Sequence, residues 1–200
     1  MKTRTSILPA VMLSLLVFGA PAWAFDPELT FRKGAFVLSG EAGYGQQSEW
    51  EGKSNSSGVE YWNAGVRFSL LPFGTVAKNT WFHGALEMGF EPFYQNYLQP
   101  NDQFWAGLAA ISRYHFLVFG RFVPYLELAG AAGGTDLRLP EIRSTFSFLV
   151  FAGLGASFFV DERTAVYLGY RLQHVSNAKT HLPNRGFESD SAVIGVSLFY

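Results

Sequence analysis

His174, Ser176 and Glu188 are the residues of this chain whose types and spacing best suit covalent chemistry. A histidine two residues before a serine, with a carboxylate twelve beyond the serine, supplies a nucleophile, a base and an acid to orient the base. The chemistry open to such a set is ester hydrolysis through an acyl-enzyme. That reaction also needs donors for an oxyanion. Asn177, by side chain or backbone amide, and the amides around Asn184-Arg185-Gly186 are the candidates, with Gly186 the type of residue that lets a loop approach a substrate closely. H-x-S is a very short pattern, and a polar interfacial loop can carry His, Ser, Asn and Glu without any activity. The elements that position these groups therefore decide how much the pattern means.

Eight segments alternate along the chain: Gly34–Gln46, Val59–Leu70, Thr80–Glu91, Phe104–Phe116, Arg121–Ala132, Ser144–Val160, Thr164–Ser176 and Ser189–Tyr200. In the second, Trp62, Ala64, Val66, Phe68 and Leu70 share one parity, and Tyr61, Asn63, Gly65, Arg67 and Ser69 the other. In the seventh, Val166, Leu168, Tyr170 and Leu172 oppose Gly169, Arg171 and Gln173. Strands of this kind, apolar on one face and polar or small on the other, predict an eight-stranded antiparallel transmembrane β-barrel. A soluble sandwich or lipocalin-like barrel would alternate similarly. Its core, however, would have to bury Arg67, Glu87, Glu91, Arg113, Glu127 and Arg171, which share the polar parity. Eight strands leave no room for a water channel, so these inward charges read as a paired structural network. The terminal Leu198-Phe199-Tyr200 resembles the assembly signal of bacterial outer-membrane proteins.

Lys2 and Arg4, the apolar stretch Ile7–Gly19 and the A-x-A site Ala22-Trp23-Ala24 predict a cleaved secretory signal over 1–24. Residues 25–200 then form one barrel domain, multi-pass in the outer membrane. Aromatic residues at 17% and 21 glycines support β structure, and a net charge of −1 suggests neither nucleic-acid binding nor a polybasic membrane patch. The chain has no cysteine, so disulfides and thiolate metal sites are excluded. No carboxylate–histidine group has metal spacing. His83 and His115 read as structural residues on strands, and His181 as a solvated loop histidine. With both termini periplasmic, Leu71–Asn79, Leu117–Gly120 and Asp161–Arg163 are the inner turns. Gln47–Gly58, Pro92–Gln103, Gly133–Arg143 and Asn177–Glu188 are the outer loops.

The register sharpens the site. The seventh strand ends outside at His174 and Ser176, both on its apolar, lipid-facing parity, and Glu188 precedes the eighth strand on the parity of Ala192, Ile194 and Val196. Three polar groups thus converge on a bilayer-facing wall, where each is costly without a partner or a function.

The stretch Tyr170-Arg171-Leu172-Gln173-His174-Val175-Ser176-Asn177-Ala178, with Pro183-Asn184-Arg185-Gly186-Phe187-Glu188-Ser189, resembles the signature of the outer-membrane lipid A 3-O-deacylases, the PagL family. The resemblance implies Ser176 as nucleophile, His174 as base and Glu188 as the orienting acid. Asn177 and Asn184 fall at motif positions associated with oxyanion stabilisation. It further implies an eight-stranded barrel that removes the ester-linked 3-hydroxyacyl chain from position 3 of lipid A, modifying lipopolysaccharide without a cofactor. It covers about the last thirty residues and departs at Lys179, where the family often carries glycine. Lys179 could alter the loop geometry or contact a lipid A phosphate. Two other readings stay open: a structural or adhesive barrel without activity, and an esterase for another acyl lipid. Dimerisation through the apolar wall is compatible with the sequence, which marks no interface for it.

Overall fold

The computed structural model describes residues 25–48 and 57–200, so the expected signal over 1–24 lies outside the described residues. After a one-turn helix α1 (Pro27–Thr30) come β1 (Phe36–Gln47), β2 (Glu60–Leu70), the two-residue β3 (Thr75–Val76), β4 (Gly84–Gln99) and β5 (Gln103–Phe116). They are followed by β6 (Phe122–Thr135), β7 (Phe146–Phe159), β8 (Thr164–Ser176) and β9 (Phe187–Phe199). The long strands pair antiparallel in chain order. β1 pairs with β9 and β2 with β4, so eight strands close into a barrel without a free edge. The short β3 joins β4 at the inner end, within the expected turn Leu71–Asn79.

Side-chain parity follows the alternation. Val66, Phe68, Leu126, Leu128, Leu168 and Ile194 are exposed on the outer wall, an apolar surface that suits hydrocarbon and not water. Arg67, Glu87, Glu91, Arg113, Glu127 and Arg171 all point inward and are buried. All but Glu87, which meets His115, pair there together with Glu41. Arg171 Nε donates to Glu127 (2.6 Å), and its other nitrogens donate to Glu41. Arg113 donates to Glu127 at 2.8 Å, and Arg67 to Glu91 at 2.8 Å and Glu41 at 3.1 Å. The Arg171 guanidinium also lies 4.4 Å from the centre of the Phe151 ring. Glu41 is a member of this network that the alternation alone did not single out.

Apolar side chains fill the lumen on either side of the charged layer. At the loop end Tyr61, Tyr97, Trp105, Leu139, Val175 and Phe187 cluster, with Trp105 Nε1 donating to Ser147 Oγ (3.0 Å). At the inner end Phe31 packs with Leu71, Phe159 and Phe199. The α1 segment is held there by Asp26, which caps Glu28 N (2.9 Å), and by Thr30 Oγ1 donating to Glu162 O (2.8 Å).

One expectation is corrected. Pro92–Gln103 is not an outer loop: β4 runs on through Pro92 to Gln99, and only residues 100–102 turn before β5. A proline normally argues against an internal strand position, because it cannot donate to the ladder. Here the β2–β4 pairing skips Val66, Arg67, Glu91 and Pro92, and the Arg67–Glu91 ion pair lies beside the gap.

Candidate active site

Glu188 is not a loop residue. It is the second residue of β9, directly across from His174 of β8. Parity therefore turns both side chains outward, and His174 Nδ1 donates to Glu188 Oε1 (3.1 Å) when Glu188 is ionised. Both side chains are half-buried. Ser176, the last residue of β8, faces the same way two positions on. The imidazole is thus held by the acid on one nitrogen, and the nearest outward hydroxyl along the strand is that of Ser176. No hydrogen bond joins Ser176 Oγ to His174 among the described residues. Residues Val150 and Phe148 of β7 are the cross-strand partners of His174 and Ser176.

The β8–β9 loop is organised by Asn177, which is fully buried. Its backbone N donates to Asn184 Oδ1 (2.8 Å), and its Nδ2 donates to the carbonyls of His181 (3.0 Å) and Arg143 (3.3 Å). Its Oδ1 accepts from Lys179 N (3.0 Å), the local turn that Asn favours. Both donors that made Asn177 an oxyanion candidate are therefore engaged, within the loop and with Arg143 of the β6–β7 loop. The amides of Arg185 and Gly186 likewise donate to Glu141 O, at 2.8 and 3.1 Å. Asn184 is left with its Nδ2 unengaged among the described residues, and its Oδ1 bond fixes which way that donor points. Ala178 and Lys179 both adopt left-handed backbone, φ 51° and 64°. That conformation explains why glycine suits position 179, and the Lys179 side chain is exposed.

Gly186 forms a wall of the site. Its φ is +69°, and a Cβ there would stand 2.7 Å from Val175 O and 3.0 Å from His174 Cε1. Gly186→Ala is therefore expected to destabilise the protein by about 1–2 kcal/mol and, by displacing the imidazole, to lower kcat about 10²-fold. Steady-state kinetics and a denaturation midpoint check it; an unchanged kcat would mean that the ring has room to spare.

The other histidines lie elsewhere. His115 is buried in the lumen against Glu87 (2.7 Å), and His83 meets Glu28 at the inner end (3.1 Å). His181 is exposed on the loop beside the site. Among the described residues no cluster of His, Cys, Asp or Glu could hold a metal ion. Sequence reasoning missed Glu141, since an aperiodic loop gives no spacing from which to find it.

Beside the site, on the outer wall, lies an apolar trough of about 360 Å³ lined by Phe90, Leu108, Ala110, Gly130, Ala132, Phe148 and Val150. Its floor is low because Ala110, Gly130 and Ala132 are small, and its rim residues Phe148 and Val150 are the strand partners of Ser176 and His174.

Among solved structures, the fold is similar to that of the outer membrane enzyme PagL. The TM-score is 0.58 at 18% identity, covering 80% of this chain and 97% of that one. It is also similar to Neisserial surface protein A (NspA), with TM-score 0.52 at 18% identity, covering 84% of this chain and all of that one. At these identities both likenesses concern the fold alone. No curated protein matches the sequence. The sequence profile described as Lipid A 3-O-deacylase (PagL) matches residues 38–197, from the third residue of β1 to the last rungs of β9. The chain therefore belongs to the lipid A 3-O-deacylase (PagL) family of outer-membrane β-barrels.

Proposed function

We propose that this chain is itself a lipid A 3-O-deacylase, with Ser176 as nucleophile, His174 as base and Glu188 as the acid that orients the base. The observation that carries the reading is the His174–Glu188 hydrogen bond on the bilayer-facing wall, with the Ser176 hydroxyl on the same face. A base fixed on that wall serves an ester presented by outer-leaflet lipid, and a lumen packed with side chains offers no competing route.

The steps follow from general acid–base chemistry. Ser176 Oγ attacks the carbonyl carbon of the 3-O-acyl ester as His174 Nε2 takes its proton. Glu188 keeps Nδ1 protonated and stabilises the imidazolium. The tetrahedral oxyanion is met by Asn184 Nδ2. It collapses with loss of the sugar 3-hydroxyl, which receives the proton from His174. Water, deprotonated by His174, then attacks the acyl-serine; the 3-hydroxy fatty acid leaves and Ser176 regains its proton. The Ser176–His174 hydrogen bond forms as substrate closes the site, as such bonds often tighten only in the loaded enzyme.

The trough suits one acyl chain, since its lining is apolar and its rim residues Phe148 and Val150 pair across the β7–β8 ladder with Ser176 and His174. At Gly130, which faces outward, an added Cβ meets nothing within 4 Å, so Gly130→Leu is expected to leave the barrel intact while filling the floor. That variant is expected to raise KM about tenfold and to favour shorter acyl chains. Unchanged KM and chain preference would exclude the trough as the acyl site.

The reading is tested with purified protein in detergent micelles, offered lipid A with an ester-linked 3-hydroxyacyl chain at position 3 and, separately, a diacyl phospholipid. Release of one 3-hydroxy fatty acid from lipid A and none from phospholipid is expected. Cleavage of phospholipid alone would move the assignment to another acyl lipid, and no cleavage of either would leave an inactive barrel.

A further inference from the structure

Glu141 lies on the β6–β7 loop, one loop away from the reacting residues, yet its side chain is only 1% exposed. A carboxylate loses much by leaving water, and a turn needs none. The bonds it makes indicate what the burial achieves. Ser57 donates to it from its backbone N (2.8 Å) and from its hydroxyl, and Gln47 Nε2 donates at 3.3 Å. Those two residues flank the β1–β2 loop. Burial pushes the Glu141 carboxyl up, but the Ser57 and Gln47 donors outweigh it and hold it below the usual carboxylate range, so the group stays ionised. Arg185 of the β8–β9 loop approaches to 3.5 Å.

The backbone of the same residue faces the other way. Glu141 O accepts from Arg185 N (2.8 Å) and Gly186 N (3.1 Å), and the neighbouring Ile142 bridges to Asn184. Gly186 is the wall against the His174 ring. Hydrogen bonds therefore run from the β1–β2 loop through Glu141 to Gly186, whose backbone stands so close to the imidazole that an added Cβ would lie 3.0 Å from His174 Cε1. We infer that Glu141 is a positioning residue for His174. It acts through Gly186: its carboxylate anchors it to the β1–β2 loop, and its carbonyl sets the wall that fixes the ring. Three outer loops are thereby coupled to the orientation of one base. The inference rests on His174 being the base of the reaction proposed above.

Glu141→Gln keeps the shape and removes the charge, turning an amide donor toward the Ser57 donors. In detergent-solubilised full-length protein it is expected to lower kcat on lipid A at least tenfold with KM unchanged, and to leave the heat-modifiable gel mobility of the barrel as it is. The His174 imidazole ¹H–¹⁵N resonances should shift while those of His83 stay. The double variant with Gly186→Ala should be no slower than the slower single variant, because both act on one wall. Unmoved kcat and His174 resonances, or effects that multiply in the double variant, would overturn the inference. If Glu141→Gln does not fold, Ser57→Ala, which removes one donor to the carboxylate, should shift the same resonances less and in the same direction; unmoved resonances there also overturn it. Should Ser176→Ala remain active while Glu141→Gln shifts the His174 resonances, the catalytic reading falls and the Glu141–His174 coupling stands.

Discussion

Replacing Ser176 with alanine is expected to lower kcat for lipid A deacylation about 10⁴-fold or more, with KM little changed and the barrel intact. The effect is large because, in the proposed mechanism, the hydroxyl is the attacking atom. His174 and Glu188 then have no proton to move, and only binding and oxyanion donors remain to assist water. The fold should not notice the change. Ser176 is the last residue of β8, its side chain faces outward, and no strand contact depends on its oxygen. Single-turnover measurements on wild type and Ser176→Ala check this. A variant within tenfold of wild type would mean that another group attacks the ester.

Arg171→Leu should have the largest effect on stability and little on chemistry. Arg171 is buried between Glu41 and Glu127, donating to both, with Phe151 against its face. Leucine leaves the buried carboxylates Glu41, Glu91 and Glu127 with only Arg67 and Arg113 to balance them, and breaking a buried ion network from one side costs about 3–5 kcal/mol. Arg171 points into the lumen and His174 out of the wall, so the variant that still folds should keep its kcat. Urea unfolding of the protein in lipid vesicles measures the difference. A loss under about 1 kcal/mol would mean that the remaining arginines, Arg67 and Arg113, redistribute to neutralise these carboxylates.

Much of this molecule was legible because membrane strands obey a two-residue period. The alternation around Trp62–Leu70 and Val166–Leu172 gave the faces of β2 and β8, and the same parity put His174 and Ser176 on the outer wall. Glu188 was harder to read, since Asn177–Gly186 carries no period. Only the β8–β9 register pairs Glu188 with His174. Pro92 misled for a physical reason: a missing N–H usually ends a strand, whereas here the ladder opens locally around it. Glu41 was lost among the glycines and alanines of β1. Glu141 and the hydrogen bonding of Asn177, Asn184 and Gly186 were illegible in principle, because both depend on which loop amides face which carbonyls. That is a matter of three loops folding over one another at the barrel rim, with no local signal in any of them.

The most direct test is the mass of lipid A from cells that make it with an ester-linked 3-hydroxyacyl chain at position 3. Cells expressing the wild-type chain should yield lipid A lighter by that one 3-hydroxyacyl group, and cells expressing equal amounts of folded Ser176→Ala should yield it unchanged. Unchanged lipid A with folded wild-type protein in the outer membrane, or the same loss of mass with Ser176→Ala, would contradict the account.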